Sequence, residues 1–189
     1  MSALNTEVSN LTFLHLTDLH LLETEEAQFN GQCPAHKLRR VLERVRAMEI
    51  TPAFWLISGD LVNNGQATEY QVLKRILPEL QSFGAPILLG MGNHDARRPF
   101  RQVILGEENQ DETQPYYHST LIGGVNIIML DTRVPNAVHG YLDEAQLAWL
   151  ADELAKPVAV GHLIALHHPP VRGQRRLLLE SGIVLVQPV

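Results

Sequence analysis

The stretch Leu11-Thr12-Phe13-Leu14-His15-Leu16-Thr17-Asp18-Leu19-His20 decides how the rest of the chain is read. Phe13 and the leucines around it fit a short buried strand. That strand runs directly into an acid and an imidazole. In an extended backbone, residues i and i+2 face the same side, so Asp18 and His20 can offer an oxygen and a nitrogen to one cation. Such a tripeptide arises easily by chance. Its weight comes from what the remaining strands do.

Downstream, Pro34 opens a helix with Leu38, Val41, Leu42 and Val45 on one stripe. Residues 53–58 are a second buried strand and stop at Gly59-Asp60. Asn63-Asn64-Gly65 is a turn, and a helix follows over 67–83, closed by Gly84. Residues 86–90 form a third strand that ends in Met91-Gly92-Asn93-His94-Asp95. A short basic helix over 99–105 and a polar loop over 106–113 come next. Strands over 116–121 and 125–130 flank Gly123-Gly124, a hairpin signal. A helix over 144–154 and a strand over 158–166 lead into His167-His168-Pro169-Pro170. The tail reads as a short helix over 174–180 and a strand over 183–186.

Strands and helices therefore alternate, which predicts an α/β fold. In open α/β sheets the ligand crevice lies beyond the carboxyl ends of the strands. The chemistry is expected in four loops: Asp18 to His20, Asp60, Asn93 to Asp95, and His167 to His168. Gly59 permits a tight turn or a close backbone approach to a ligand. Asn93 offers a neutral carbonyl oxygen, and His94 beside it a proton donor.

Composition sets the outer bounds. The chain has 189 residues, 45% of them hydrophobic and 19% charged, which fits one globular domain and excludes disordered, collagenous and coiled-coil classes. A net charge of -6 argues against a nucleic-acid grip built from basic side chains. It leaves room for a phosphorylated substrate if a bound metal supplies positive charge. The single cysteine, Cys33, excludes an internal disulfide framework. No Lys or Arg precedes Lys37, so a basic leader region is not seen, and the apolar run 11–16 is too short to span a bilayer. The expectation is a cytoplasmic protein with no membrane or nucleic-acid partner.

Taken together, Thr17-Asp18-Leu19-His20, Ser58-Gly59-Asp60, Gly92-Asn93-His94-Asp95 and Leu166-His167-His168-Pro169-Pro170 resemble the calcineurin-like metallophosphoesterase superfamily. Asp131-Thr132-Arg133, His139-Gly140, Gln146-Leu147-Ala148-Trp149-Leu150 and the doubled His before Pro-Pro are similar to its cyclic-nucleotide phosphodiesterase branch. The resemblance covers residues 11 to 173. It implies an α/β/β/α sandwich and a site for two divalent ions (manganese, iron, cobalt or zinc). Asp60 would bridge the pair, Asp18 and His20 would hold one ion, and Asn93 and His167 the other. A metal-bound hydroxide would then attack phosphorus in line. His94 is carried over as the residue that steadies phosphate or protonates the leaving group, with Asp95 orienting it. His168 and His139 are substrate-facing candidates. Four positive charges, less Asp18, Asp60 and one hydroxide, leave a centre that attracts a small phosphodiester despite the acidic chain.

The sequence departs from the family in one respect. The superfamily's final Gly-His-x-His is absent: Gly161-His162-Leu163-Ile164 lacks the second His, and no histidine follows His168. This predicts one domain over 1–189, C-terminally truncated, without the last strands of its second sheet and short of one ligand per metal. The uncovered sheet edge suggests a homo-oligomer. Another phosphoesterase of the superfamily, or an inactive remnant that binds a partner, are the alternatives.

Other residues read more simply. His15 and His162 are satisfied strand histidines, and His36 and His118 have no motif around them. Trp55 and Trp149 belong to the core. Arg97, Arg98 and Arg101 read as a solvated basic helix face.

Overall fold

The computed structural model describes residues 11–108, 111–169 and the backbone of the strand 183–188. The expected helix over 174–180 lies outside the described residues. Three parallel strands, β1 (Leu14–Leu16), β2 (Trp55–Ile57) and β3 (Ile87–Leu89), form one sheet in that order. They are joined by α1 (Pro34–Ala47) and α2 (Ala67–Gln81), two crossover helices of the βαβ kind. After β3 come α3 (Arg97–Phe100) and a π-helical turn over Arg101–Leu105. The helix expected over 99–105 thus starts two residues earlier.

The second sheet has the order β4 (His118–Ile122), β5 (Val125–Met129), β6 (Gly161–Leu166), β7 (Ile183–Pro188). β4 and β5 form the expected hairpin, and both residues of its turn have positive φ, Gly123 at 57° and Gly124 at 83°. Their type of turn matches the twist of the flanking strands. β5 and β6 are parallel, bridged by α4 (Glu144–Leu154), and β7 returns antiparallel to β6.

Side-chain alternation stacks these elements into four layers. In the run through β2, Trp55 and Ile57 face α1 and α2, where they meet Leu42, Leu73, Ile76 and Leu80. Phe54 and Leu56 face the other way and pack with Leu88 on Ile127, Met129, Leu163 and Ala165 of the second sheet. Ile128 and Leu130 alternate again and pack with Leu166 under Trp149 and Leu150 of α4. A strand period of two, buried on both faces, gives helix, sheet, sheet, helix. This is the expected sandwich. Among the described residues no helix is long and apolar enough to cross a membrane.

Local chemistry explains the ends of the helices. Pro34 occupies the first helical position of α1, where its missing N–H costs nothing. Glu69, buried in the first turn of α2, accepts from the backbone N–H groups of Asn64 and Gln66, both at 3.0 Å. Asp143 caps α4 by accepting from the Gln146 N–H at 2.7 Å.

Candidate metal centre

Three loops at the carboxyl ends of β1, β2 and β3 meet the loop after β6. The first two are laced together by backbone bonds. The N–H of Asp18 donates to Gly59 O at 3.1 Å, that of His20 to Asp60 O at 3.0 Å, and that of Leu21 to Leu61 O at 3.2 Å. This lacing holds a conformation the residues would not choose alone. Asp18, His20 and Asp60 have φ of 53°, 45° and 48°, half of the six non-glycine residues with positive φ among those described. Left-handed backbone at an Asp or His costs about 1–2 kcal/mol and is sustained only by its surroundings. The extended backbone expected for Asp18 to His20 is therefore not found. The turn is left-handed at both residues, yet Asp18 Oδ1 and His20 Nε2 still approach to 3.7 Å.

Two glycines make room. A Cβ on Gly92 would lie 2.2 Å from Asp60 Oδ1, and one on Gly59 would lie 2.7 Å from Gly92 N and 2.8 Å from His167 Nδ1. The β2 and β3 loops touch backbone to backbone because neither carries a side chain there.

Asp60, 3% exposed, is the hub. Its Oδ1 accepts from the His94 N–H at 2.9 Å. Its Oδ2 lies 3.7 Å from His20 Nε2 and 3.4 Å from His167 Nε2. Two triads of donor atoms fall within 4.8 Å of one another: His20, Asp60 and His94, and Asp18, Asp60 and His167. Asp60 belongs to both, as a bridging carboxylate would. Within these triads Asp18 sits beside His167 and His20 beside His94, while Asp18 and His20 also face each other. Asn93 is half-buried between Gly92, which abuts Asp60, and His94.

The electrostatics describe carboxylates and imidazoles that favour one another's charged forms. Burial opposes ionisation of Asp60, but hydrogen bonding from His167 and His94 outweighs it, and the carboxyl titrates below its ordinary value. A hydrogen bond with Asp18 and the nearby charges raise His20 despite its burial. Burial pulls His167 down, yet Asp60, Asp18 and Asp95 raise it on balance. Among the described residues, buried His20 Nδ1, His167 Nδ1 and His168 Nε2 have no hydrogen-bond partner. Buried polar atoms are normally paired. Carboxylates and imidazole nitrogens gathered in one cleft form the mixed oxygen and nitrogen donor set of a first-row divalent ion. The residues fit two such ions.

His94 is exposed, and its ring packs edge-on to His20 with centroids 4.7 Å apart. Its Nδ1 lies 2.6 Å from the carbonyl of Asn63. A carbonyl only accepts, so Nδ1 carries a proton and Nε2 is left for other chemistry. Asp95 does not orient this ring. Its carboxylate, 1% exposed, accepts from the N–H groups of Gly92, Leu61 and Val62 at 2.9, 3.2 and 3.3 Å and from Tyr70 Oη at 3.0 Å. Burial pushes it up to about 6. Asp95 pins the β2 and β3 loops together, and the contact that orients His94 comes from Asn63.

His168 meets His167 edge-on at 5.1 Å, and its Nδ1 lies 2.6 Å from Thr132 Oγ1. A Cβ on Gly140 would lie 2.5 Å from His168 Cβ, so the loop carrying the exposed His139 packs on His168.

Two further residues matter that sequence reasoning placed elsewhere. Arg97 and Arg101 are 3% and 7% exposed, not a solvated face; only Arg98 is exposed. The guanidinium of Arg97 forks onto Asp131 at 2.7 and 3.1 Å, and Arg101 donates to Glu107. Arg133 donates to the backbone carbonyl of Asp95 and to Glu112. This network ties the Asn93–Asp95 loop to the end of β5. Asp131 directly follows a buried strand, the same signal that marked Asp18 and Asp60.

A family model described as calcineurin-like phosphoesterase matches residues 11–185. A cAMP/cGMP dual specificity phosphodiesterase of Mycobacterium tuberculosis is 35% identical over 159 residues, which is 84% of this chain and 49% of that protein. A 3',5'-cyclic adenosine monophosphate phosphodiesterase of Pseudomonas aeruginosa is 28% identical over 163 residues, covering 86% and 57%. The crystal structure of a dimetal phosphatase from Danio rerio superposes with a TM-score of 0.51 at 15% identity, over 76% of this chain and 64% of the other. The chain spans about half the length of the curated relatives it matches.

Proposed function

The chain belongs to the calcineurin-like phosphoesterase family, and from that membership we propose that it is a metal-dependent phosphodiesterase acting on a cyclic nucleotide or a similarly small diester. The observation that carries this reading is Asp60, a buried carboxylate shared by two triads of metal-type donors. The relatives named as cyclic-nucleotide phosphodiesterases support the choice of a diester.

Asp18, His20, Asp60, Asn93 and His167 would hold two divalent ions, with Asp60 common to both. When bound, such a pair lowers the pKa of water toward about 7 and neutralises charge developing on phosphate. Hydrogen bonding from His167 and His94 holds Asp60 ionised despite its burial, so it is ready to ligate at neutral pH. His94 serves the substrate. It is exposed and its Nδ1 proton is committed to Asn63, so Nε2 can hold the proton that passes to the leaving oxygen. His168 flanks His167 on the Thr132 side, with the His139 loop packed on it, and an imidazole there can contact the non-reacting oxygens of the ester. Asp95 acts through the backbone by keeping Gly92 against Asp60.

The direct assay is hydrolysis of 3',5'-cyclic AMP and of bis(p-nitrophenyl) phosphate with added manganese. Turnover of at least one is expected. His94→Gln should lower kcat by about 100-fold, the ordinary contribution of a positioned acid. Absence of turnover on both substrates by a manganese-loaded protein would remove the reading.

A further inference from the structure

The loop that follows Asp18 and His20 encloses a feature the metal chemistry does not use. A cavity of about 310 Å³ lies between the end of β1 and the start of α1, with Asp18, His20, Phe29, Gln32 and Lys37 in its wall. Two of these are proposed metal ligands, so the cavity opens directly on the centre. Phe29 is 42% exposed, and its ring runs nearly parallel to the His20 imidazole, 5.9 Å between centroids and 17° between planes.

One exposed aromatic residue is ordinary. This one is held in place. Phe29 and Gln32 exchange both backbone hydrogen bonds, at 2.8 and 3.0 Å, across Asn30 (φ 51°) and Gly31 (φ 75°). That is a two-residue turn of type I′ with its favoured Asn-Gly pair. Behind it, Cys33 Sγ donates to the carbonyl of Glu25. The Glu25 carboxylate is in turn gripped by Arg39 at 2.7 Å and Arg75 at 3.2 Å. The segment between β1 and α1 is therefore a built wall.

Small-ligand sites combine apolar and aromatic lining with a few polar groups. Here the apolar part comes from Phe29, Pro34, Leu38 and Val41, and the polar part from Gln32 and Lys37. A phosphate alone has no use for such a wall, and an alkyl diester has nothing to stack on it. Resting on the phosphodiesterase reading above, we infer that this cavity seats the planar base of a nucleotide whose phosphate lies at the metal centre, with Phe29 as its stacking surface. Lys37 and Gln32 meet the polar edge of the base. A flat ring on an aromatic face tolerates any base, so the subsite selects nucleotides over other diesters and discriminates weakly among bases.

Adenosine 5'-monophosphate and ribose 5-phosphate share a sugar phosphate and differ by the base. Titrated calorimetrically into the manganese-loaded protein, the nucleotide should bind about tenfold more tightly. Phe29→Ala should bring the nucleotide down to the affinity of ribose 5-phosphate, and Phe29→Tyr should keep the preference. Equal affinities in the unaltered protein, no binding of either ligand, or a preference that survives Phe29→Ala overturns the proposal. Hydrolysis of bis(p-nitrophenyl) phosphate by the same sample reports separately on the phosphodiesterase reading. A sample that hydrolyses it without a base preference loses the subsite and keeps the reading. An inert sample that still prefers the nucleotide does the reverse.

Discussion

Asp18, His20 and Asp60 each adopt a backbone conformation that non-glycine residues avoid, and all three point donors into one cleft. The strain is held by bonds from neighbouring residues, and Asp95 clamps the loops that carry them. Tyr70 supplies one arm: its hydroxyl donates to Asp95 Oδ1 at 3.0 Å and accepts from Ala96 N–H at 2.9 Å. Tyr70→Phe leaves the Ala96 N–H without this acceptor and Asp95 without one donor. A loss of about 1–3 kcal/mol is expected in urea unfolding, and an unchanged midpoint would show that the clamp is dispensable. His118 gives a pH signature away from the metal ligands. Burial lowers its imidazole from the ordinary value, and its Nε2 donates to the Leu89 carbonyl. Below about pH 6.5 the unfolded chain takes up a proton that the folded one refuses, so this residue's share of stability falls as pH drops. His118→Gln should flatten the decline in melting temperature between pH 7.5 and 5.5 relative to the unaltered protein. Parallel declines would assign that pH dependence to other groups.

The elements are short strands whose alternating side chains serve two layers at once, and this much was readable. Phe54 to Ile57 and Ile127 to Leu130 carry apolar residues at every position, the mark of a strand buried on both faces. The turn at Gly123-Gly124 and the strand-end placement of Asp18, Asp60, Asn93 and His167 were equally legible. What failed depended on partners far away in the chain. Arg97 looked like surface because its partner, Asp131, is 34 residues distant. Asp18 and His20 looked extended because the bonds that bend them come from Gly59 and Asp60. The Asn30-Gly31 turn takes its meaning from the cavity beside it, which no local pattern shows. The Arg97–Asp131 fork joins α3 to the end of β5, so its loss should be felt across elements. Arg97→Ala strands a buried carboxylate, which among the described residues retains the N–H groups of Tyr116 and Arg133. A destabilisation of about 3–5 kcal/mol is expected in urea unfolding, and a loss below about 1 kcal/mol would mean that those backbone donors suffice.

The whole molecule is a pair of sheets sharing one inner apolar layer, with helices outside each. That arrangement brings the ends of β1, β2 and β3 from one sheet and the end of β6 from the other to a single rim, where they deliver Asp18, Asp60, Asn93 and His167. In a chain with net charge -6, cations bound among these carboxylates would supply the positive charge that attracts phosphate to the rim. Cation binding through Asp60 is therefore the central claim. Equilibrium dialysis against manganese followed by elemental analysis tests it most directly, on the unaltered protein and on Asp60→Ala, with circular dichroism to verify the fold. The account predicts that the unaltered protein retains manganese and that Asp60→Ala, still folded, retains none, because both ions lose a shared ligand. Equal manganese uptake by the two folded proteins would contradict it.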